Sequence, residues 1–158
     1  MRSIVAVKET VLGLLKGQTQ IKKPVRIKGL VASTTSGYDF EFRDKHLRCH
    51  SVSRQDILEK CPYQVGQLWV KETWRLCDFE STGDGQYSAA IEMRADQSRP
   101  HRKHGGVELM DEIMGWRSSV WMPQSASRIT LDVTRIDIEC DQKGNWYWVL
   151  DVCLAPKT

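Results

Sequence analysis

Between Glu9 and Asp39 the chain carries no acidic residue, yet it holds Lys16, Lys22, Lys23, Arg26 and Lys28. A second basic run follows later: Arg99, His101, Arg102, Lys103 and His104. Clusters of this kind attract phosphate through charge and the release of condensed counterions. Either run reads equally well as a solvated loop, and the net charge of +3 does not decide between them. Two histidine spacings, His46-x-x-Cys49-His50 and His101-x-x-His104, have the form of half a zinc site. Neither has a second ligand pair at a familiar distance along the chain, so no metal is expected. The chain has no G-x-S-x-G, P-loop, G-x-G-x-x-G or H-E-x-x-H string, which leaves no motif for a serine nucleophile, a nucleotide, a dinucleotide or a catalytic zinc. No cofactor is expected.

The cysteines, Cys49, Cys61, Cys77, Cys140 and Cys153, are odd in number and include no C-x-x-C pair. The opening MRSIVAV is not followed by the apolar segment of a secretory signal, and no apolar run approaches membrane-spanning length. Reduced thiols in a cytoplasm are therefore expected, with no membrane partner. A length of 158 residues fits one domain, 1–158, able to bury a core without disulfides or metal. Hydrophobic residues at 41% and charged residues at 27% are ordinary globular usage. Six tryptophans are many for this length; core packing is their commoner use, and base stacking the alternative.

These groups have to be positioned by short elements. Residues 3–7 read as a strand, and residues 9–16 as a short helix burying Val11, Leu12, Leu14 and Leu15, with Gly17 ending it. Gln18 to Pro24 reads as a polar loop and Val25 to Ala32 as a strand. Residues 38–43 and 46–52 read as strands about an Asp44-Lys45 turn. Ser53 to Lys60 reads as a helix with Ser53 at the N-cap and Asp56 completing a capping box. Gln67 to Trp74 and Tyr87 to Met93 read as strands, with a loop over Cys77 to Gln86. Arg94 to Gly106, the longest polar stretch, reads as a mobile loop, followed by helix over Val107 to Met114.

The last third carries the clearest pattern. Ile129, Leu131 and Val133 alternate with polar residues, and Ile136 and Ile138 continue the alternation in shifted phase, which predicts a bulge near Arg135. After an Asp141–Gly144 turn, Trp146, Trp148, Leu150, Val152 and Leu154 form a period-2 apolar face. Two such strands make a hairpin. Many short strands with two or three short helices give an α+β fold, a small, partly closed mixed β-barrel.

Four strings are similar to segments of ASCH-domain proteins of the phage and prophage type, members of the PUA-like superfamily. Val65 to Trp74 (VGQLWVKETW) resembles the family's GD-x-LWVRET. Trp116 to Ile129 (WRSSVWMPQSASRI) resembles W-x-PSIHMPRWASRI. Gly144 to Leu150 resembles its NPWVWVI strand, and Lys16 to Lys23 (KGQTQIKK) its GRKTQTRR. The matches fall in the family's order from end to end, with little to match over 81–106.

The resemblance implies a PUA-like barrel with helices beside a cleft, and work on RNA. Hydrolase members of the family that deacetylate N4-acetylcytidine use a lysine, a threonine three residues on, and a glutamate. Glu72 matches that glutamate in context. With Thr19-Gln20 aligned to the family's TQ, the lysine position is Gln18 and the second threonine is Ile21, so both groups are lost. The other register keeps Lys16 and Thr19 at the right spacing, but with Lys16 before Gly17 rather than after it. In the second string Trp121, Gln124 and Ser125 stand at the family's His, Arg and Trp, while Met122, Pro123, Ala126, Ser127 and Arg128 are kept. Glu72 has a plainer role open to it, as the partner of Arg128 or Lys71. Arg128 can equally cap its strand, and Trp116 and Trp121 can be core.

The leading expectation is therefore a cleft binding RNA or single-stranded nucleic acid. Lys16, Lys22, Lys23 and Arg26 would hold phosphates, and Thr19, Gln20, Glu72 and Arg128 would line it. One alternative is an amidohydrolase using Lys16, Thr19 and Glu72. Another is a phage accessory factor binding a host protein through the 94–106 loop and exposed tryptophans.

Overall fold

A computed structural model describes residues 2–113 and 115–156. In chain order the elements are β1 (Arg2–Val5), α1 (Lys8–Leu15), β2 (Gln20–Pro24), β3 (Val31–Ala32), β4 (Phe40–Arg43) and β5 (Cys49–Val52). Then come α2 (Arg54–Leu58), β6 (Gly66–Lys71), β7 (Trp74–Gly83), β8 (Gln86–Met93) and β9 (His101–Gly105). Short 3₁₀ turns at Val107–Glu112, Ser119–Trp121 and Gln124–Ala126 lead into β10 (Thr130–Cys140) and β11 (Trp146–Leu154). The protein is thus mixed and strand-rich with short helices. Among the described residues no strand order closes on itself. No helix is long and apolar enough to cross a membrane.

The chain forms two compact units, and it passes between them at 19/20, 66/67, 132/133 and 152/153. The first unit holds 1–19, 67–132 and 153–158. In it β1 runs parallel to β6, with Arg2 opposite Leu68 and Val5 opposite Lys71, and α1 makes the crossover. Helix α1 buries Val11 and Leu14, while Leu15, expected inside, is exposed: it falls on the outer side of the one stripe an eight-residue helix can bury. The helix stops where expected. Gly17 sits at φ +93, and the Gly17 and Gln18 amides return to the Leu14 and Gly13 carbonyls, a Schellman closure. A side chain at Gly13 would collide with the Gln18 amide oxygen at 1.9 Å, so Gln18 folds back over the helix.

The second sheet of this unit, β7-β8-β9, is antiparallel throughout. It replaces two expected loops. Residues 77–86 are the distal half of a long hairpin turned by Asp84-Gly85, both at positive φ, the pair a two-residue type I′ turn requires. Within 94–106, residues 101–105 are β9 rather than loop. Polarity misleads in both places because these strand faces are covered by charged side chains. Trp69, Trp74, Leu76, Ala89, Ile91, Met93, Leu109, Met122 and Ala126 form the core on the sheet's other face. Met114, expected at the end of a helix, lies outside the described residues; Val107–Glu112 is a 3₁₀ segment.

The second unit holds 20–66 and 133–152. Here β11 pairs antiparallel with β2, placing Lys23 opposite Trp148 and Ile21 opposite Leu150. Residues 20–24 are therefore strand rather than loop, and 25–30 are not strand. Ile21 faces in and Lys22 out, and a lysine-bearing strand ending in proline suits the end of a sheet order. A three-stranded sheet, β3-β4-β5, and α2 complete the unit. The capping box on α2 is present: Ser53 Oγ accepts from the Asp56 amide, and Asp56 accepts from the Ser53 amide. In β10, Leu131 and Val133 are buried, Thr134 and Arg135 are both exposed, and Ile138 is buried again, so the phase shifts at Arg135. Trp148, Leu150 and Val152 are buried; Leu154 is exposed and Trp146 half-buried against the edge of Phe40.

Candidate functional site

The first unit contains a small cavity lined by Ala6, Lys8, Val11, Glu72, Thr73, Arg94 and Ala95. Strand β1 supplies Ala6 just past its end, α1 supplies Lys8 and Val11, and the turn after β6 supplies Glu72 and Thr73. Arg94 is pinned by its amide, which donates to the Thr73 carbonyl at 2.9 Å. The cavity encloses about 70 Å³.

Glu72 is 2% exposed, and both its oxygens are taken. Arg128 donates from Nη2 to Oε1 at 2.9 Å and from Nε to Oε2 at 3.0 Å, a bidentate fork. Of the two partners the sequence left open, Glu72 has Arg128; Lys71 instead donates to the Val120 carbonyl at 3.1 Å and lies over the Trp69 ring. Arg128 also donates from Nη1 to Asp96 at 2.8 Å and to Ser98 Oγ. The guanidinium beside Asp96 holds its carboxyl down at about 2, against an ordinary 3.8. Asp96 in turn accepts from the Ser98 amide and hydroxyl. Glu72, Arg128, Asp96 and Ser98 thus form a closed hydrogen-bonded latch in which one guanidinium serves two carboxylates, with Glu72 lining the cavity. Asp96 and Ser98 were not read from the sequence. The Asp-x-Ser turn was their only signal, and nothing local tied it to Arg128.

Lys16 and Thr19, the other two members of the hydrolase triad, are exposed beyond the end of α1. Among the described residues Lys16 makes no ion pair, and the cation on Glu72 is Arg128. The remaining sequence candidates are in the second unit and are engaged there. Gln20 donates to Asp151 at 2.9 Å. Lys22 pairs with Glu139. Burial pushes the Lys23 ammonium below its ordinary range, and Arg26 lies near Tyr63.

A different set of cations stands out in the first unit. Lys8, Lys71, Arg94 and Arg117 have no carboxylate within ion-pairing distance among the described residues. Arg94 lies over Trp116 and Arg117 over Trp74. By contrast the basic run after β8 is neutralised. Arg99 pairs with Glu92 and Asp78, Arg102 with Glu80, and Lys103 with Glu112. Glu92, 3% exposed, also takes Arg75. Burial pushes its carboxyl up, but Arg99 and Arg75 outweigh that and hold it below the usual range. Trp121, one of the two tryptophans read as core, is 79% exposed: the buried residue of its turn is Met122, which points the other way. Among the described residues no group of histidine, cysteine and acid side chains is placed to hold a metal. No family model, curated protein or solved structure matches the chain.

Proposed function

We propose that the chain is a PUA-like domain of the ASCH type, its strands forming a partly closed barrel, and that it binds RNA or single-stranded nucleic acid. On this reading it works in the cytoplasm of a bacterial host as a phage or prophage protein. The family assignment rests on the four ordered strings from Lys16 to Leu150. The binding assignment rests on one observation: Lys8, Arg94, Lys71 and Arg117 lack carboxylate partners, and the first two flank the Glu72 cavity. A phosphate chain supplies the missing counter-charge and gains by releasing its own counterions. Lys16 and Thr19 are exposed in the same unit, at the other end of α1 from Lys8.

The cavity volume of about 70 Å³ favours a ligand that lies across the surface. Small-molecule pockets run to roughly 300–1,000 Å³. Glu72 favours binding over hydrolysis for a related reason. A general base must come within hydrogen-bond reach of the proton it takes, whereas Glu72 is 2% exposed and turned onto the Arg128 guanidinium through both oxygens. The test is fluorescence anisotropy with labelled single-stranded RNA and DNA across a salt series. Binding that weakens linearly in log salt is expected. Absence of binding to either polymer at low salt would overturn the assignment.

A further inference from the structure

The segment from Trp116 to Met122 runs beside residues 71–75 and is fastened at both ends. Arg117 and Trp74 exchange backbone hydrogen bonds, at 2.6 and 3.3 Å. At the other end Met122, 2% exposed, takes the Glu72 amide on its sulfur at 3.5 Å, and Lys71 holds the Val120 carbonyl. Between these anchors a 3₁₀ turn is closed by the Trp121 amide on the Ser118 carbonyl and the Met122 amide on the Ser119 carbonyl, and Pro123 follows. Trp121 stands at the crest of this turn, 79% exposed, beside an exposed Val120.

We infer that Trp121 is a stacking platform for an unpaired nucleobase, which makes the ligand a single strand rather than a duplex; this rests on the nucleic-acid reading above. A large flat side chain held out in water on a fixed backbone presents a π-face and loses little conformational freedom when something lies on it. Stacking on such a face tolerates any base but needs one that is out of its pair. The surroundings choose the occupant. Lys71, whose ammonium donates to the carbonyl of Val120 next to Trp121, and Arg117, four residues before Trp121 in the segment, make no ion pair among the described residues, so these cations remain available to a polyanion. The backbone of a strand lying there would meet cations while its base meets the indole.

The experiment compares wild type, Trp121→Ala and Trp121→Phe by anisotropy. The probes are a short labelled oligouridylate and an abasic chain of the same length. Trp121→Ala should weaken oligouridylate binding about tenfold, leave the slope against log salt unchanged, and leave abasic binding unchanged. Trp121→Phe should recover most of the loss, and circular dichroism of both variants should match wild type. Wild-type binding that Trp121→Ala does not weaken would overturn the platform while leaving nucleic-acid binding standing. An equal loss on the abasic chain would overturn it too, by assigning Trp121 to backbone contact or folding. Loss of a self-associated species in sedimentation, with oligouridylate affinity intact, would reassign the indole to a protein contact. No wild-type binding to either probe would remove the nucleic-acid reading itself.

Discussion

The β7-β8-β9 sheet and the rim of the Glu72 cavity carry the same kind of side chain in opposite circumstances. On the sheet, Arg75 and Arg99 close over Glu92, while Arg99, Arg102 and Lys103 find Asp78, Glu80 and Glu112. Ser88, Ala90 and Glu92 lie buried beneath this layer. At the rim, Lys8 and Arg94 are exposed and make no ion pair among the described residues, and the cation on Glu72, which lines the same cavity, is Arg128, shared with Asp96. The lesson is that basic residues in a sequence do not mark a phosphate site. On the proposed reading the cations left over after the acids have been assigned do, and that assignment is three-dimensional.

The comparison breaks most visibly at Arg128. Its side chain is 10% exposed and that of Glu72 is 2%. Arg128→Ala leaves a buried carboxylate unpaired and should cost about 3–5 kcal/mol in urea unfolding. Glu92→Ala should cost less, about 1–3 kcal/mol, because Arg75 and Arg99, 36% and 43% exposed, turn to water when released. A loss at Glu92 equal to that at Arg128 would mean that the sheet layer is a latch of the same kind. Asp96 gives the pH signature. Its carboxyl is at about 2 when folded against 3.8 ordinarily. A depressed value stabilises above the unfolded pKa, so the contribution is complete above about pH 4 and is lost as pH falls towards 2. The urea midpoint of wild type should fall across that window more steeply than that of Asp96→Asn. Trp121→Ala, at an exposed position, should leave the midpoint within about 0.5 kcal/mol of wild type. Trp148→Ala should lose about 3–5 kcal/mol, since Trp148 is 2% exposed.

What the sequence disclosed follows the range of the forces involved. The stop at Gly17, the Ser53–Asp56 capping box and the phase shift at Thr134-Arg135 are each settled within a few residues, and each is found where its residues put it. Strand β2 escaped because Lys22 and Lys23 read as loop, while what makes them strand is pairing to Val149 and Trp148, far along the chain. Strand β9, with the sequence HRKHG, has no apolar alternation at all. It is held by pairing to β8, although the Asp84-Gly85 turn was a local clue to the hairpin beside it. At the site, Glu72 and Arg128 were legible as candidates through their strings. Asp96 and Ser98 reach Arg128 across about thirty residues, and the unpaired state of Lys8 and Arg94 is written nowhere in the residues themselves.

The unpaired state of Lys8 and Arg94 is read directly by salt. Each phosphate contact on a single strand contributes about 0.7 to the slope of log affinity against log salt. The measurement is that slope for wild type, the double variant Lys8→Ala/Arg94→Ala, and Arg99→Ala as the neutralised control. The double variant should lower the slope by about 1.4, whereas Arg99→Ala should leave it at the wild-type value. A slope that falls with Arg99→Ala, or one unmoved by losing Lys8 and Arg94 together, would contradict the claim that the unpaired rim is where the strand is held.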